Sequence, residues 1–148
     1  MAITNWGSAR YEGLGKKGKG HVSVQSGVLD DQPYGFNTRF EDAKGTNPEE
    51  LIAGAHASCF TMALAFALAD AGFDDGVLDT KAVVTLDKDG DGFKVSKSEL
   101  TLTAQIADID EDKFAEIAKG AKQGCPISKL LNCEITLEHT LNSEFAVG

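Results

Sequence analysis

Apolar and polar residues change period several times along this chain, and each change marks an element. Residues 21–24 (His-Val-Ser-Val) alternate, and residues 34–40 set aromatics between polar residues, so both read as strands. Asp30-Asp31-Gln32-Pro33 joins them. Between Tyr11 and His21 lies a Gly/Lys-rich loop containing Gly13-Leu14-Gly15-Lys16-Lys17-Gly18, a literal GxGxxG. A phosphate cradle of that kind needs a helix to follow it, and here Gly20 and a strand follow. A flexible hairpin loop is expected instead.

Residues 51–69 are 19 positions without Asp, Glu, Lys or Arg, preceded by a clean helix start. Asn47 is a good N-cap, Pro48 suits the first helical position, and Glu50 stands where a capping-box acid belongs. The helix is expected to run to about Gly72. The stretch is long enough to cross a bilayer, but it carries His56, Ser58, Thr61 and seven alanines between acidic flanks. Basic anchors are missing, so it reads as a buried soluble helix. Apolar residues occur on every side of it and call for cover all round. With one other substantial helix in the chain, a partner subunit is the expected source.

Residues 81–86 and 100–106 alternate again, separated by Asp87-Lys88-Asp89-Gly90-Asp91-Gly92. The turn resembles the start of an EF-hand calcium loop, but its twelfth position is Ser98, with Glu99 one residue late, and strands flank it. Asp-Gly between alternating segments signals a hairpin. A second helix is expected over 110–122, with Phe114, Ile117, Ala118 and Ala121 on one face. Cys125 and a short helix over 126–131 follow, then a strand over 134–141. Three strands, a long helix, two strands, two helices and a strand make one α+β domain over 1–148, its strands in hairpins rather than βαβ units.

Composition narrows the class. The 148 residues carry a formal charge of −9 and 42% hydrophobic residues, a soluble globular balance. So acidic a surface repels phosphate backbones, and no basic run interleaves with aromatics, which disfavours nucleic acid. Residues 1–10 lack an apolar signal core, pointing to the cytoplasm. There the three cysteines are core residues, metal ligands or redox groups rather than a structural disulfide framework.

Two of them invite chemistry. Cys125 in Gly124-Cys125-Pro126 stands at a helix N-terminus, where orphan N–H groups and the helix dipole lower a thiol pKa, with Lys129 one turn on. The bland alternative is a cysteine that caps and packs. Cys59, in mid-helix, would ordinarily be a small hydrophobe with a raised pKa, needing an imported cation to become a nucleophile. His56, one turn back, could make a Cys–His pair or be a satisfied core histidine, the simpler reading. Arg39, one of two arginines, is the other candidate cation, though a solvated edge position is its simpler reading. His56, Cys59, Cys125 and Cys133 make a zinc set only on paper, lacking close ligand spacing. Cys133 reads as structural.

The stretch Gly45-Thr46-Asn47-Pro48-Glu49-Glu50-Leu51-Ile52, with His56-Ala57-Ser58-Cys59-Phe60 and Gly124-Cys125-Pro126, resembles the OsmC/Ohr family of osmotically inducible and organic-hydroperoxide-resistance proteins. Residues 26–29 and Pro33-Tyr34-Gly35-Phe36-Asn37-Thr38-Arg39-Phe40 look like the OsmC branch, as does His56 where the Ohr branch has tyrosine. The resemblance implies antiparallel sheets wrapped around a long central helix in an intertwined homodimer, without metal or bound cofactor. It implies a thiol peroxidase for organic hydroperoxides, with Cys59 peroxidatic, Cys125 resolving, and Arg39 with Glu49 activating. It further implies a dithiol reductant, such as a lipoylated protein. Ten helical residues, about 15 Å, separate Glu49 from Cys59, so Arg39 and Glu49 are expected to serve the partner's Cys59. The apolar residues Phe60, Met62 and Phe66 suit bulky hydroperoxides. Two other readings are a non-catalytic binder of hydrophobic ligands and a Cys59–His56 hydrolase, the latter without a readable orienting acid.

Overall fold

Strands β1 (Gly7–Glu12), β2 (Lys19–Val24) and β3 (Gln32–Tyr34) form an antiparallel sheet in that order. The structure is a computed structural model and describes residues 2–143. By its internal contacts the chain forms two compact units, Met1–Leu51 and Ile52–Gly148, each taken by itself below. In the first, the GxGxxG segment is the β1–β2 hairpin loop, tightened by a 3₁₀ turn over Gly15–Lys17. Gly13 and Gly15 take φ values of 73° and 80°, which glycine adopts without steric cost.

Residues 36–40 correct the sequence reading. They form a short helix α1 (Phe36–Phe40), and the strand before it ends at Tyr34. Aromatics at 36 and 40 fit strand alternation, but they also fit i,i+4 spacing, and local bonding decides the matter. The Gly35 N–H donates to Thr38 Oγ1 at 2.7 Å, and that hydroxyl donates back to the Gly35 carbonyl at 3.0 Å, closing the first turn. Phe36 and Phe40 then meet ring to ring at 5.0 Å.

The long helix α2 (Pro48–Asp70) begins where the caps placed it. Asn47 Oδ1 accepts the Glu50 N–H at 2.8 Å, and Asn47 Nδ2 donates to the Thr38 carbonyl at 3.1 Å, tying α1 to the start of α2. Asn47→Ala removes both bonds and is expected to cost about 1–2 kcal/mol, read as a lowered urea midpoint at unchanged slope.

The cover expected around α2 is one-sided within this chain. His56, Phe60, Leu64 and Leu68, four residues apart, form the buried stripe. Met62 and Phe66, by contrast, are 60% and 67% exposed. The helix is long and apolar enough to cross a membrane by length and composition alone. Phe60, Leu64 and Leu68 of its buried stripe pack into the apolar core of this chain.

In the second unit, β4 (Val77–Asp89) and β5 (Gly92–Gln105) make a long antiparallel hairpin, and the calcium-like segment is its turn, with Asp89 paired to Gly92. Strand β6 (Glu134–Leu141) joins the other edge of β5 in parallel, Lys97 against Glu134 through Ala104 against Leu141. The last strand is therefore not a hairpin partner. It returns by a crossover made of α3 (Glu111–Gly124) and α4 (Pro126–Leu130), because a parallel neighbour must re-enter from the same end. Ser98, Leu100, Leu102 and Ala104 of β5 are all buried, the alternate residues of one face. They share one apolar core with Phe60, Leu64 and Leu68 of α2 and with Phe114, Ala118 and Ala121 of α3. Asp110 caps α3 by accepting the Lys113 N–H at 2.7 Å.

Candidate active site

Cys125 owes its position to the break between α3 and α4. Its N–H ends α3 on the Ala121 carbonyl at 3.0 Å, and its carbonyl receives the Lys129 N–H at 3.2 Å to start α4. Pro126, next in line, has no N–H to waste at the first helical position. The sulfur acts as the cap: Sγ accepts the Ser128 N–H at 3.3 Å and donates to Ser128 Oγ at 3.2 Å. Cys125 is completely buried.

Cys59 reaches the same place from α2. It is half-buried against the core, on the border between the buried stripe and the exposed edge that carries Met62 and Phe66. The two thiols are near enough for each to act on the other's acidity, and the Ile127 backbone at the start of α4 acts on both. Their acidities diverge. Desolvation pushes the Cys59 thiol up, the Ile127 N–H pulls it down, and Cys125 as neighbour adds to the rise. Desolvation also pushes Cys125 up, but the hydroxyl and N–H of Ser128, the Cys59 thiol and the Ile127 N–H together outweigh it, and its pKa falls. The expected help from Lys129 is absent from this balance; that side chain is exposed.

Arg39 and Glu49 meet in the first unit. Nε donates to Oε1 at 2.7 Å and an Nη to Oε2 at 2.9 Å, the bidentate fork that fixes a guanidinium plane. The carboxylate's hydrogen bond raises the guanidinium pKa further, so the charge is permanent. Arg39 is exposed, yet its guanidinium is held in place: α1 carries it, Phe40 lies 5.4 Å from it, and Glu49, in the first turn of α2, grips it. An apolar pocket of about 440 Å³ opens beside the guanidinium, walled by Tyr11, Tyr34, Phe36 and Phe40, with Lys16 at 5.1 Å from the Phe36 ring.

His56 is the satisfied core histidine of the simpler reading. It is fully buried, with Nδ1 at 2.6 Å from Ser98 Oγ and Nε2 at 2.8 Å from Ser128 Oγ, and burial lowers its pKa, so the ring is neutral at pH 7. With both nitrogens engaged by hydroxyls, no direct Cys59–His56 couple remains for a hydrolase. Cys133 is half-buried before β6; burial raises its pKa while the Ser98 backbone N–H lowers it. Among the described residues no group of three His, Cys, Asp or Glu side chains is placed to hold a metal ion.

Sequence reasoning missed Ser98 and Ser128. Each left a trace. Ser98 is the polar member of an otherwise apolar face of β5, and Ser128 stands three residues after an N-cap, where a side chain can reach back to the cap.

The family described as OsmC-like protein matches residues 41–140. Over 97% of this chain and the whole of the relative, the sequence is 52% identical to the peroxiredoxin OsmC of Escherichia coli. It is 32% identical to the organic hydroperoxide resistance protein OhrB of Bacillus subtilis, over 80% of this chain and 88% of that one. The crystal structure of that OhrB superposes with a TM-score of 0.70, covering 93% and 98% of the two chains. An OsmC-like protein from Vibrio cholerae shares the fold at a TM-score of 0.74 with 13% identity. The match over residues 41–140 and the 52% identity to a peroxiredoxin OsmC lead to one conclusion: the chain belongs to the OsmC-like protein family.

Proposed function

We propose that this protein is a peroxiredoxin-like thiol peroxidase that reduces organic hydroperoxides to alcohols and protects the cell under stress. The observation that carries the reading is the proximity of the thiols Cys59 and Cys125 at the start of α4, each shifting the other's acidity, in a chain closely related to a peroxiredoxin. In the first step the Cys59 thiolate attacks the terminal peroxide oxygen. An S–O bond forms, the O–O bond breaks, and the departing alkoxide takes a proton to become the alcohol. In the second step Cys125 displaces the oxygen of the Cys59 sulfenic acid as water and forms a disulfide. A dithiol, from a lipoylated protein or a small molecule, reopens it.

Cys59 needs a cation for its role, since desolvation leaves its pKa raised. A homodimer supplies it if Arg39 and Glu49 act on the partner's Cys59, and the exposed Met62 and Phe66 would give the second copy an apolar seat. The Arg39 guanidinium would then hold the thiolate and meet the charge developing on the peroxide oxygens, while the aromatic pocket beside it takes the organic part of the substrate. The proposed site of action is the cytoplasm, where dithiol reductants are available.

Intact mass and thiol titration before and after one equivalent of cumene hydroperoxide test this reading. The expected result is loss of two thiols and a disulfide that peptide mapping places between Cys59 and Cys125. Three unchanged thiols would overturn it in favour of a ligand-binding protein.

A further inference from the structure

A continuous line of hydrogen bonds runs behind the resolving thiol, and the peroxidase chemistry above leaves it without a task. Ser98 Oγ lies 2.6 Å from His56 Nδ1, His56 Nε2 lies 2.8 Å from Ser128 Oγ, and Ser128 Oγ lies 3.2 Å from Cys125 Sγ. All four residues are buried, His56, Ser98 and Cys125 completely so. A neutral core histidine needs only one acceptor and one donor, and any such pair could serve it. Here one partner is itself bonded to a redox thiol, and a hydroxyl between a thiol and an imidazole can accept from one side while donating to the other.

We propose that Ser128 and His56 form a proton relay that deprotonates Cys125 for disulfide formation, with Ser98 holding the far nitrogen of the ring. The inference rests on the peroxidase reading, because it concerns the second step of that cycle. In the resting state Nδ1–H donates to Ser98 Oγ, and Nε2 accepts from the Ser128 hydroxyl, which accepts from the Cys125 thiol. As Cys125 attacks the Cys59 sulfenic acid, Ser128 takes the thiol proton and passes its own to Nε2. The Sγ–Sγ bond forms and the S–O bond of Cys59 breaks. The displaced hydroxide takes the proton back through Ser128, so one water leaves and His56 ends neutral. Cys125 is oxidised, the Cys59 sulfenic sulfur is reduced, and no further reagent enters.

The surroundings suit the task. Among the described residues the thiols tied to this line are Cys125, bonded to Ser128, and Cys133, which the Ser98 backbone acts on, with Cys59 three residues on from His56 along α2. On β5, Lys97 and Glu99 flank Ser98 on the opposite face and pair with each other at 3.5 Å. The partners of Ser98 on β4 and β6 are Val84 and Ile135, which do not titrate, and Lys129 of α4 is exposed. Burial keeps the ring neutral and able to accept, and it makes the imidazolium short-lived, which favours return of the proton.

The test separates the two steps. Reduced protein is mixed with one equivalent of cumene hydroperoxide and quenched at intervals. Sulfenic acid at Cys59 is trapped with dimedone, and the disulfide is read by intact mass, from pH 6 to pH 9. In Ser128→Ala the first step should keep its rate while disulfide formation slows by at least about tenfold at pH 7, since general base assistance is commonly worth 10²–10⁴-fold. The deficit should shrink as pH rises, because the thiolate then forms unaided. Ser128→Thr, which keeps the hydroxyl, should restore most of the rate. Equal slowing at every pH would mark a packing defect and overturn the relay, as would an unchanged second step. The wild type gives an independent reading: the second step should slow in deuterium oxide along a curve rather than a line, as two protons moving together require. A strictly linear dependence overturns the proposal. If the wild type forms no Cys59 sulfenic acid at all, the peroxidase reading fails and the relay falls with it.

Discussion

Cys59→Ser is expected to abolish hydroperoxide reduction, with turnover down at least about 10³-fold, the scale on which loss of an enzyme nucleophile is felt. The residue is half-buried on α2, and serine is nearly isosteric there, so the folded state should survive with an unchanged circular dichroism spectrum. Cys125→Ser should behave differently. One equivalent of peroxide should still be consumed, leaving a sulfenic acid on Cys59 that persists and then over-oxidises under excess peroxide. The contrast matters because Cys125 is the more acidic thiol within one chain. If Cys59→Ser kept its first turnover and Cys125→Ser lost it, the two roles would have to be exchanged. Mass spectrometry of the dimedone adducts decides between these outcomes.

Arg39→Ala carries the second large effect, a fall in kcat/KM of about 10²–10³-fold, as when one preorganised donor to a developing anion is removed. Stability should change little, since the Arg39 side chain is 34% exposed and its ion pair contributes at most about 1 kcal/mol. Lysine should not rescue, because the pair is bidentate and an ammonium cannot reproduce the fork. Residual activity should climb about tenfold per pH unit below the Cys59 pKa, since only the thiolate reacts. Mixing Arg39→Ala chains with Cys59→Ser chains then asks whose arginine serves whose thiol. Shared sites predict recovered turnover once subunits exchange; exchange without recovery would place Arg39 and Cys59 of one chain in the same site.

The helices were the most legible part of this sequence. Asn47-Pro48 and Asp110 announce their helices by local bonding that owes nothing to the rest of the chain, and both N-termini fall where those residues put them. Alternation likewise exposed β6 and the middle of β4, but of β5 only the C-terminal half, residues 92–99 being strand as well. Two features escaped for physical reasons. Phe36 and Phe40 satisfy both a two-residue and a four-residue period, and the Thr38–Gly35 bonds that choose the helix are invisible to a pattern of apolar residues. The parallel pairing of β6 depends on where α3 and α4 deliver the chain, a long-range matter that alternation cannot encode. At the site, the cysteines and Arg39 stood out by type. Ser98, His56 and Ser128 are joined only by the fold, from three separate elements, and no spacing rule links them.

The crossover from β5 to β6 also sets an order of events as the chain folds. The β4–β5 hairpin closes over a two-residue turn, so its contacts are local and should form early, whereas β6 must wait for the whole crossover to be laid down. Cys125 lies within that late segment, and Cys59 lies on a helix finished well before it. The two sulfurs therefore become neighbours only as folding completes. A nascent chain meeting peroxide too soon would carry its cysteines apart, and their encounter serves as a certificate of maturity.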